Sequence, residues 1–277
     1  MLDLKFPAIM GILNVTPDSF SDGGKYLDTQ SAIAHARTMI AEGADIIDIG
    51  GESTRPGAEP ISPEEELDRV IPVIEGVRAF STVPLSIDTS TPAVMAAAAD
   101  AGANLINDVR SLRREGALAM AARTGLPVCL MHMQGDPRTM QMNPVYDDLI
   151  GEITAFFEER MEQCARAGIG EEKILLDPGF GFGKTVDHNL VLINQLHQFE
   201  PLGRPLLVGL SRKSTIGAIV SGISKDRLIG SVAGAVIAYM HGASLLRVHD
   251  VGATRQALAV AVAIGNARVE SGNKGNK

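Results

Sequence analysis

The chain is short of cysteine, of positive charge and of long apolar runs. Its two cysteines, Cys129 in PVCLMH and Cys164 in a helical stretch, form no CxxC pair and no metal-ligand spacing. They read as reduced, buried thiols of a cytoplasmic protein rather than as a disulfide framework. Lysine and arginine number 25 against 33 aspartates and glutamates, a net charge of −8 in 277 residues. That deficit argues against nucleic acid and against a membrane surface as partners, since both call for a broad basic face. An anionic small molecule remains open, because a local cluster of cations can hold what the whole surface repels. No uninterrupted apolar run approaches the ~20 residues of a membrane-spanning helix. MLDLKFPAIMG also lacks the basic segment and long apolar stretch of a signal peptide.

What is present is a repeat. Short apolar runs recur, each closing on polar residues: AIMGILN (8–14), DIIDIGGEST (45–54), PLSID (84–88), NLIND (104–108), PVCLMH (127–132), KILLDP (173–178), PLLVGLSRK (205–213) and LLRVHD (245–250). Between them lie stretches with helical periodicity, among them SAIAHARTMIAEGA, PAVMAAAADAGA, DLIGEITAFFEERMEQCARAG and RQALAVAVAIGNARV. EGADIIDIG, AGANLINDV and HGASLLRVH each set a glycine where a helix C-cap belongs, one residue before the next strand run. Eight such βα units without a linker-like change of composition predict an α/β fold, a (β/α)8 barrel spanning 1–277 as one domain. A doubly wound sheet would have fewer strands and a glycine-rich turn after the first. NVTPDSFSDGG follows here, which is not GxGxxG. The polar tail SGNKGNK, 271–277, reads as disordered.

A barrel gives the polar strand ends a common address, the C-terminal mouth where such folds carry their sites. The ends supply Asn14, Thr54, Arg55, Asp88, Asn107, His132, Asp177, Ser211, Lys213, Arg247 and His249. Arg247 and His249, two apart in an apolar strand, share a face by alternation. Asp108 and Asp250, taken singly, read as caps. Asp88, Asn107 and Asp177 are short, rigid hydrogen-bonding groups suited to a flat, nitrogen-rich heterocycle. A Mg²⁺ cluster competes as a reading, but no further His or Glu joins the two aspartates at ligand spacing. Arg55, Lys213, Arg247 and His249 suit an anion such as phosphate or carboxylate.

Two long loops, 15–27 and 51–63, carry proline and several glycines and read as mobile lids beside the mouth. DPGFGFGKT resembles a phosphate-binding GxxxxGK[ST] loop. Counting back five from Gly183 lands on Pro178, so the match fails. Gly179, Gly181 and Gly183 instead let a loop turn sharply next to a ligand. Phe182 is either its hydrophobic wall or an ordinary packing residue.

MGILNVTPDSFSDGG (10–24), GGESTRPGA (50–58), SIDTS (86–90), INDVRS (106–111), LMHMQG (130–135), LDPGFGFGK (176–184), VGLSRKS (208–214) and RVHDV (247–251) together resemble the dihydropteroate synthase family in order and spacing. The resemblance covers residue 8 to about 265. It implies a transferase of folate biosynthesis, the target of sulfonamides, which joins p-aminobenzoate to 6-hydroxymethyl-7,8-dihydropterin diphosphate and releases pyrophosphate. By the same resemblance Asp88, Asn107, Asp177 and Lys213 hold the pterin. Asn14, Arg247 and His249 bind the diphosphate, with Asn14 also a ligand of the cofactor Mg²⁺. Thr54, Arg55, Pro56, Phe182, Ser211 and Lys213 surround the aminobenzoate, Phe20 and Asp22 sit on the first lid, and Met131 and Gly209 contact substrate. Asp88, Lys213, Arg247 and His249 carry the catalytic roles. The family also implies a homodimer, to which the apolar segments GAVIAYM and ALAVAVAIG lend some support.

Three other readings stand beside this one. A pterin-binding methyltransferase would share barrel and pocket but has no reason to carry Arg247, His249 and the STRPG loop. An aldolase-like barrel would use Lys213 as a Schiff-base lysine, though Lys213 lies just past its strand and no buried, apolar lysine environment is evident. A silent paralogue would retain the pocket without turnover.

Overall fold

The computed structural model describes residues 4–16, 24–53, 59–135, 139–140 and 142–267. Eight parallel strands form one sheet: β1 Ala8–Asn14, β2 Ile46–Gly50, β3 Leu85–Asp88, β4 Leu105–Asp108, β5 Val128–Met131, β6 Ile174–Asp177, β7 Leu207–Val208 and β8 Leu245–Val248. Neighbours follow chain order, β1 pairs with β8, and a bridge from Leu176 to Leu206 joins β6 to the β7 side. The result is a (β/α)8 barrel, as the repeat predicts. The helices are α1 Gly24–Ala41, α2 Pro63–Arg78, α3 Pro92–Asp100, α4 Ala117–Thr124, α5 Leu149–Arg166, α6 Val186–Asn194, α7 Ser214–Val220, α8 Leu228–Met240 and α9 Val251–Asn266. None of them, among the described residues, is long and apolar enough to cross a membrane.

Both faces of each strand are buried, which is why the strands read as continuous apolar runs. Outward residues such as Ile9, Leu13, Ile47, Ile49, Ile87 and Ile106 pack against the helices. Inward residues Ala8, Met10, Ile46, Leu105, Cys129, Leu175, Leu207 and Leu245 form a separate cluster that plugs the barrel. Further along the same inward positions the chemistry changes. Asp48 stands opposite Ser86, and Asp88 lies between Gly50 and Asn107. The plug therefore supports a polar layer. Gly43, Gly102 and Gly242 adopt φ of 97°, 106° and 109°, so each repeated glycine ends its helix in the left-handed conformation that the sequence pattern anticipates.

Three boundaries differ from the sequence reading. α1 begins at Gly24, inside the stretch 15–27 expected to be loop. α2 begins at Pro63, within 51–63, because Ser62 Oγ caps the Glu65 N–H at 3.1 Å and Pro63 has its φ preset for a first helical turn. β7 spans two residues instead of running towards Lys213, since the chain bends after it and Arg212 takes φ 58°. Residues 17–23 and 54–58 of the two loops, and the tail from 268, lie outside the described residues.

Candidate active site

Arg247 stands at the centre of the polar layer. Its Nε donates to Asp48 Oδ2 at 2.6 Å and its Nη2 to Asp88 Oδ2 at 2.7 Å. Asn107 Nδ2 donates to the same Asp48 oxygen at 3.1 Å. β8, β2, β3 and β4 thus each send one side chain to a single hydrogen-bonded group. Gly209, just past β7, lies alongside: a Cβ there would rest 3.6 Å from Arg247 Cβ. The sequence reading omitted Asp48. Its signal was alternation from the plug residue Ile46, two positions earlier on the same strand.

Asp48 is fully buried, and its other oxygen, Oδ1, has no hydrogen-bond partner; nor does Ser86 Oγ on the adjoining strand. The inner wall therefore keeps unused polar capacity, which buried groups rarely do without a functional reason. Asp88 titrates above the ordinary carboxylate range. Burial is the largest cause, opposed by Arg247 and reinforced by the charge of Asp48. The same carboxylates hold the Arg247 guanidinium protonated, overriding its desolvation.

On the opposite wall, Asp177 ends β6 and accepts the Gly179 N–H at 2.7 Å. Burial raises its carboxyl, and Lys213 pulls it back. Lys213 Nζ donates to the Phe180 carbonyl at 2.5 Å and sits 4.5 Å from the centroid of the Phe182 ring. Desolvation lowers that lysine to about 8, against the opposing pull of Asp177. The loop 178–183 folds over its amine, which leaves Lys213 half-buried with the Phe180 carbonyl and Asp177 as polar neighbours, not in the buried, apolar setting of a Schiff-base lysine. Gly179, Gly181 and Gly183 have φ of 72°, 82° and 60°, so the loop does turn through left-handed glycines. Phe182 packs onto Val109, Met131, Met133 and Met140, which makes it part of an apolar wall.

Ser211 and His249 form a pair between β7 and β8. The His249 N–H donates to Ser211 Oγ at 3.2 Å, and Nδ1 lies 3.1 Å from the same oxygen. Asn14 ends β1 half-buried, on the inward face by alternation with Met10. His132 leaves the ring expected of it: its Nδ1 faces Lys184 Nζ at 2.9 Å. Asp108 does act as a turn cap, accepting the N–H groups of Arg110 and Leu112. Asp250 instead pairs with Arg212, 3.0 Å from Nε to Oδ2. Phe20, Asp22, Thr54, Arg55 and Pro56 lie outside the described residues.

Chemically, three aspartates, an asparagine, an arginine and a lysine converge above an apolar floor. Hydrogen-bond acceptors for a flat heterocycle and cations for an anion are interleaved, not segregated as the sequence reading sorted them. Arg247 belongs to the acidic group by contact and to the cationic group by charge.

Known proteins share this construction. The family model described as "Pterin binding enzyme" matches residues 10–249. The dihydropteroate synthase of Escherichia coli (strain K12) is 56% identical over 259 residues, covering 94% of this chain and 92% of the relative. That of Haemophilus influenzae is 52% identical over 266 residues, covering 96% and 97%. Among solved structures, Yersinia pestis dihydropteroate synthase in a sulfonamide drug complex superposes with a TM-score of 0.91 at 55% identity, covering 96% and 97% of the two chains. The Xanthomonas albilineans enzyme in complex with 7,8-dihydropteroate gives 0.87 at 47% identity, covering 97% and 96%. With a family model over most of its length and relatives above half identity, this chain belongs to the dihydropteroate synthase family of pterin-binding enzymes.

Proposed function

We propose that this chain condenses 6-hydroxymethyl-7,8-dihydropterin diphosphate with p-aminobenzoate in the polar layer at the barrel mouth, giving 7,8-dihydropteroate and pyrophosphate. The observation that carries the residue roles is the Arg247 guanidinium held between Asp48 and Asp88, with Asn107, Asp177 and Lys213 completing the wall. Asp88, Asn107 and Asp177 accept the N–H groups of the pterin. The bond between the exocyclic methylene and the diphosphate oxygen breaks, and its electron pair leaves with the diphosphate. The positive charge left behind spreads over the dihydropterin ring, where the carboxylates of Asp88 and Asp48 stabilise it electrostatically. Arg247 and His249 offset the charge gathering on the departing pyrophosphate. The aniline nitrogen of p-aminobenzoate, held beside Phe182, Ser211 and Lys213, then forms the new C–N bond and gives up its proton to solvent. It is nucleophilic near neutral pH, so no strong general base is needed.

Asn14 fits a magnesium site. Its amide oxygen is a hard donor at the mouth, of the kind Mg²⁺ takes together with water and substrate phosphates. No cluster of three or more His, Cys, Asp or Glu able to hold a metal exists among the described residues, so a Mg²⁺ would share Asn14 with the substrate. When bound, such an ion acts as a Lewis acid towards the diphosphate.

The reading extends to a homodimer in the cytoplasm. α8 and α9 expose Ile229, Met240, Val260 and Ile264, each more than half accessible, on the outside of the barrel. Apolar exposure of this kind favours association of copies. Ile229→Glu with Ile264→Glu should turn a sedimenting dimer into a monomer, and a wild-type monomer would remove the proposal. Both cysteines are free and buried, as suits a reducing compartment.

The deciding experiment is pyrophosphate release from the dihydropterin diphosphate, with and without p-aminobenzoate and Mg²⁺. Release that requires the aminobenzoate and stops with EDTA supports reaction and metal together. Tight pterin binding without release would favour the methyltransferase or the silent paralogue.

A further inference from the structure

We propose that Lys184 is a positioning residue of this site, its buried amine fixing the loop 178–183 so that the Phe180 carbonyl and the Phe182 ring meet Lys213. The inference rests on reading that loop as part of the substrate pocket.

Lys184 is 2% exposed, a rare state for lysine. Its Nζ lies 2.9 Å from His132 Nδ1, 3.1 Å from the Gly179 carbonyl and 3.2 Å from the Phe182 carbonyl. Burial lowers this amine to about 7. As an ammonium it donates to all three partners; as a neutral amine it donates to the two carbonyls and takes the His132 ring N–H on its lone pair, so either form holds the loop. Two of the partners bracket the loop, one near each end. The third belongs to the residue after β5, so the amine ties the loop to the barrel wall. This is not the phosphate-binding lysine of a GK loop, because the side chain is turned under the loop and spent on protein acceptors.

The far side of the same loop is where Lys213 sits. The Phe180 carbonyl accepts its hydrogen bond, Phe182 lies beneath it, and a Cβ on Gly181 would come 3.0 Å from Lys213 Cδ. The loop backbone at Gly181 thus leaves no room for a side chain against Lys213. The loop has little rigidity of its own, since three of its six residues are glycines in the left-handed region. Besides Lys184, Asp177 and Lys213, two side chains from outside the polar layer hold it. Tyr146 Oη donates to the Gly183 carbonyl at 2.7 Å, and the Gly181 N–H donates to Asn189 Oδ1 at 2.8 Å.

His132 is held in place as the partner. Phe156 packs edge-on against its ring at 5.0 Å, and burial, with the nearby Lys184 charge, lowers its pKa far below the ordinary imidazole range, so the ring is neutral and its Nδ1 can pair with the Lys184 amine. A shorter polar side chain could do the same, which makes the pair testable without touching the polar layer.

The test uses the intact chain and three variants: Lys184→Met, His132→Leu and His132→Asn. Asparagine places Oδ1 where His132 places Nδ1; leucine offers no acceptor. Amide hydrogen exchange of residues 179–183 and the KM for p-aminobenzoate are read together. Lys184→Met and His132→Leu should each speed exchange in the loop alone and raise that KM by about tenfold, as expected when a buried hydrogen bond is lost and its partner left unpaired. His132→Asn should restore both towards wild type. Wild-type loop exchange and KM in Lys184→Met, or in His132→Leu, would overturn the proposal. So would faster exchange spread over the whole barrel with KM unchanged, which marks a general stabiliser. If Lys184→Met does not fold, the two His132 variants decide. If the wild type fails to condense the substrates, the functional reading falls, while loop exchange still reports on Lys184.

Discussion

Arg247 and Asp48 stand 199 positions apart in the chain, yet Nε of one lies 2.6 Å from Oδ2 of the other. Asp88 takes a second nitrogen of the same guanidinium. The arginine thus meets its substrate already oriented by two carboxylates, with its Nη1 not taken up by either. Preorganised charge of this kind needs no rearrangement when charge develops in the transition state.

Arg247→Ala and Asp88→Asn should each lower turnover by about 100-fold or more, the usual loss for one electrostatic stabiliser. The two losses should not add, because both remove the same contact. Steady-state pyrophosphate release checks this, and near wild-type turnover in either variant would sink the assignment.

Asp48→Ala leaves Arg247 with Asp88 alone and strips Asn107 of its acceptor. The expected loss of unfolding free energy is about 3 kcal/mol, the lower end for a broken buried pair because one carboxylate remains. Urea denaturation measures it. A loss too small to resolve would mean that Asp48 orients Arg247 without stabilising the barrel.

The pH profile of kcat/KM should be a narrow bell. Lys213 is lowered to about 8 from an ordinary 10.5, so its ammonium is present below that pH and lost as pH rises through it. Asp88 is raised by burial, so its carboxylate forms only above the ordinary carboxylate range and is lost as pH falls. Activity declines on both sides. Lys213→Arg, which does not titrate, should retain less activity but show no alkaline limb near 8. An alkaline limb unchanged in that variant would assign it elsewhere.

Gly179 and Gly203 both have positive φ, 72° and 65°, but their surroundings differ. A Cβ at Gly179 would lie 1.8 Å from the His132 carbonyl oxygen, whereas one at Gly203 meets nothing within 4 Å. Gly203→Ala should cost about 1–2 kcal/mol of left-handed strain. Gly179→Ala should cost more, because backbone must move, and should also impair substrate binding through Phe182 and Lys213. Thermal unfolding of the two variants separates the effects; equal losses would contradict the close approach.

The fold was legible because its signals are local. Helical and strand periods, and glycines such as Gly43, Gly102 and Gly242, depend on neighbours a few residues away. Polar strand ends were enough to bring Asp88, Asn107 and Asp177 to the mouth, and alternation put Arg247 and His249 on one face. It could equally have placed Asp48, had the run DIIDIGG been read by its parity as well as by its polar end. Tertiary structure decided the rest. Which carboxylate meets which nitrogen of Arg247 depends on the register of four strands around a closed ring. His132 follows β5 one residue out of phase with the inward Cys129 and Met131, the Gly179 turn lies against its backbone, and its ring turns to Lys184. Lys213 reads as a solvated lysine until the loop 178–183 folds over its amine and leaves the side chain half-buried. Sequence by itself determined the elements and the inward positions, because those follow from short-range stereochemistry. Partners, burial and protonation were decided only by folding, because they arise where distant segments exclude water together.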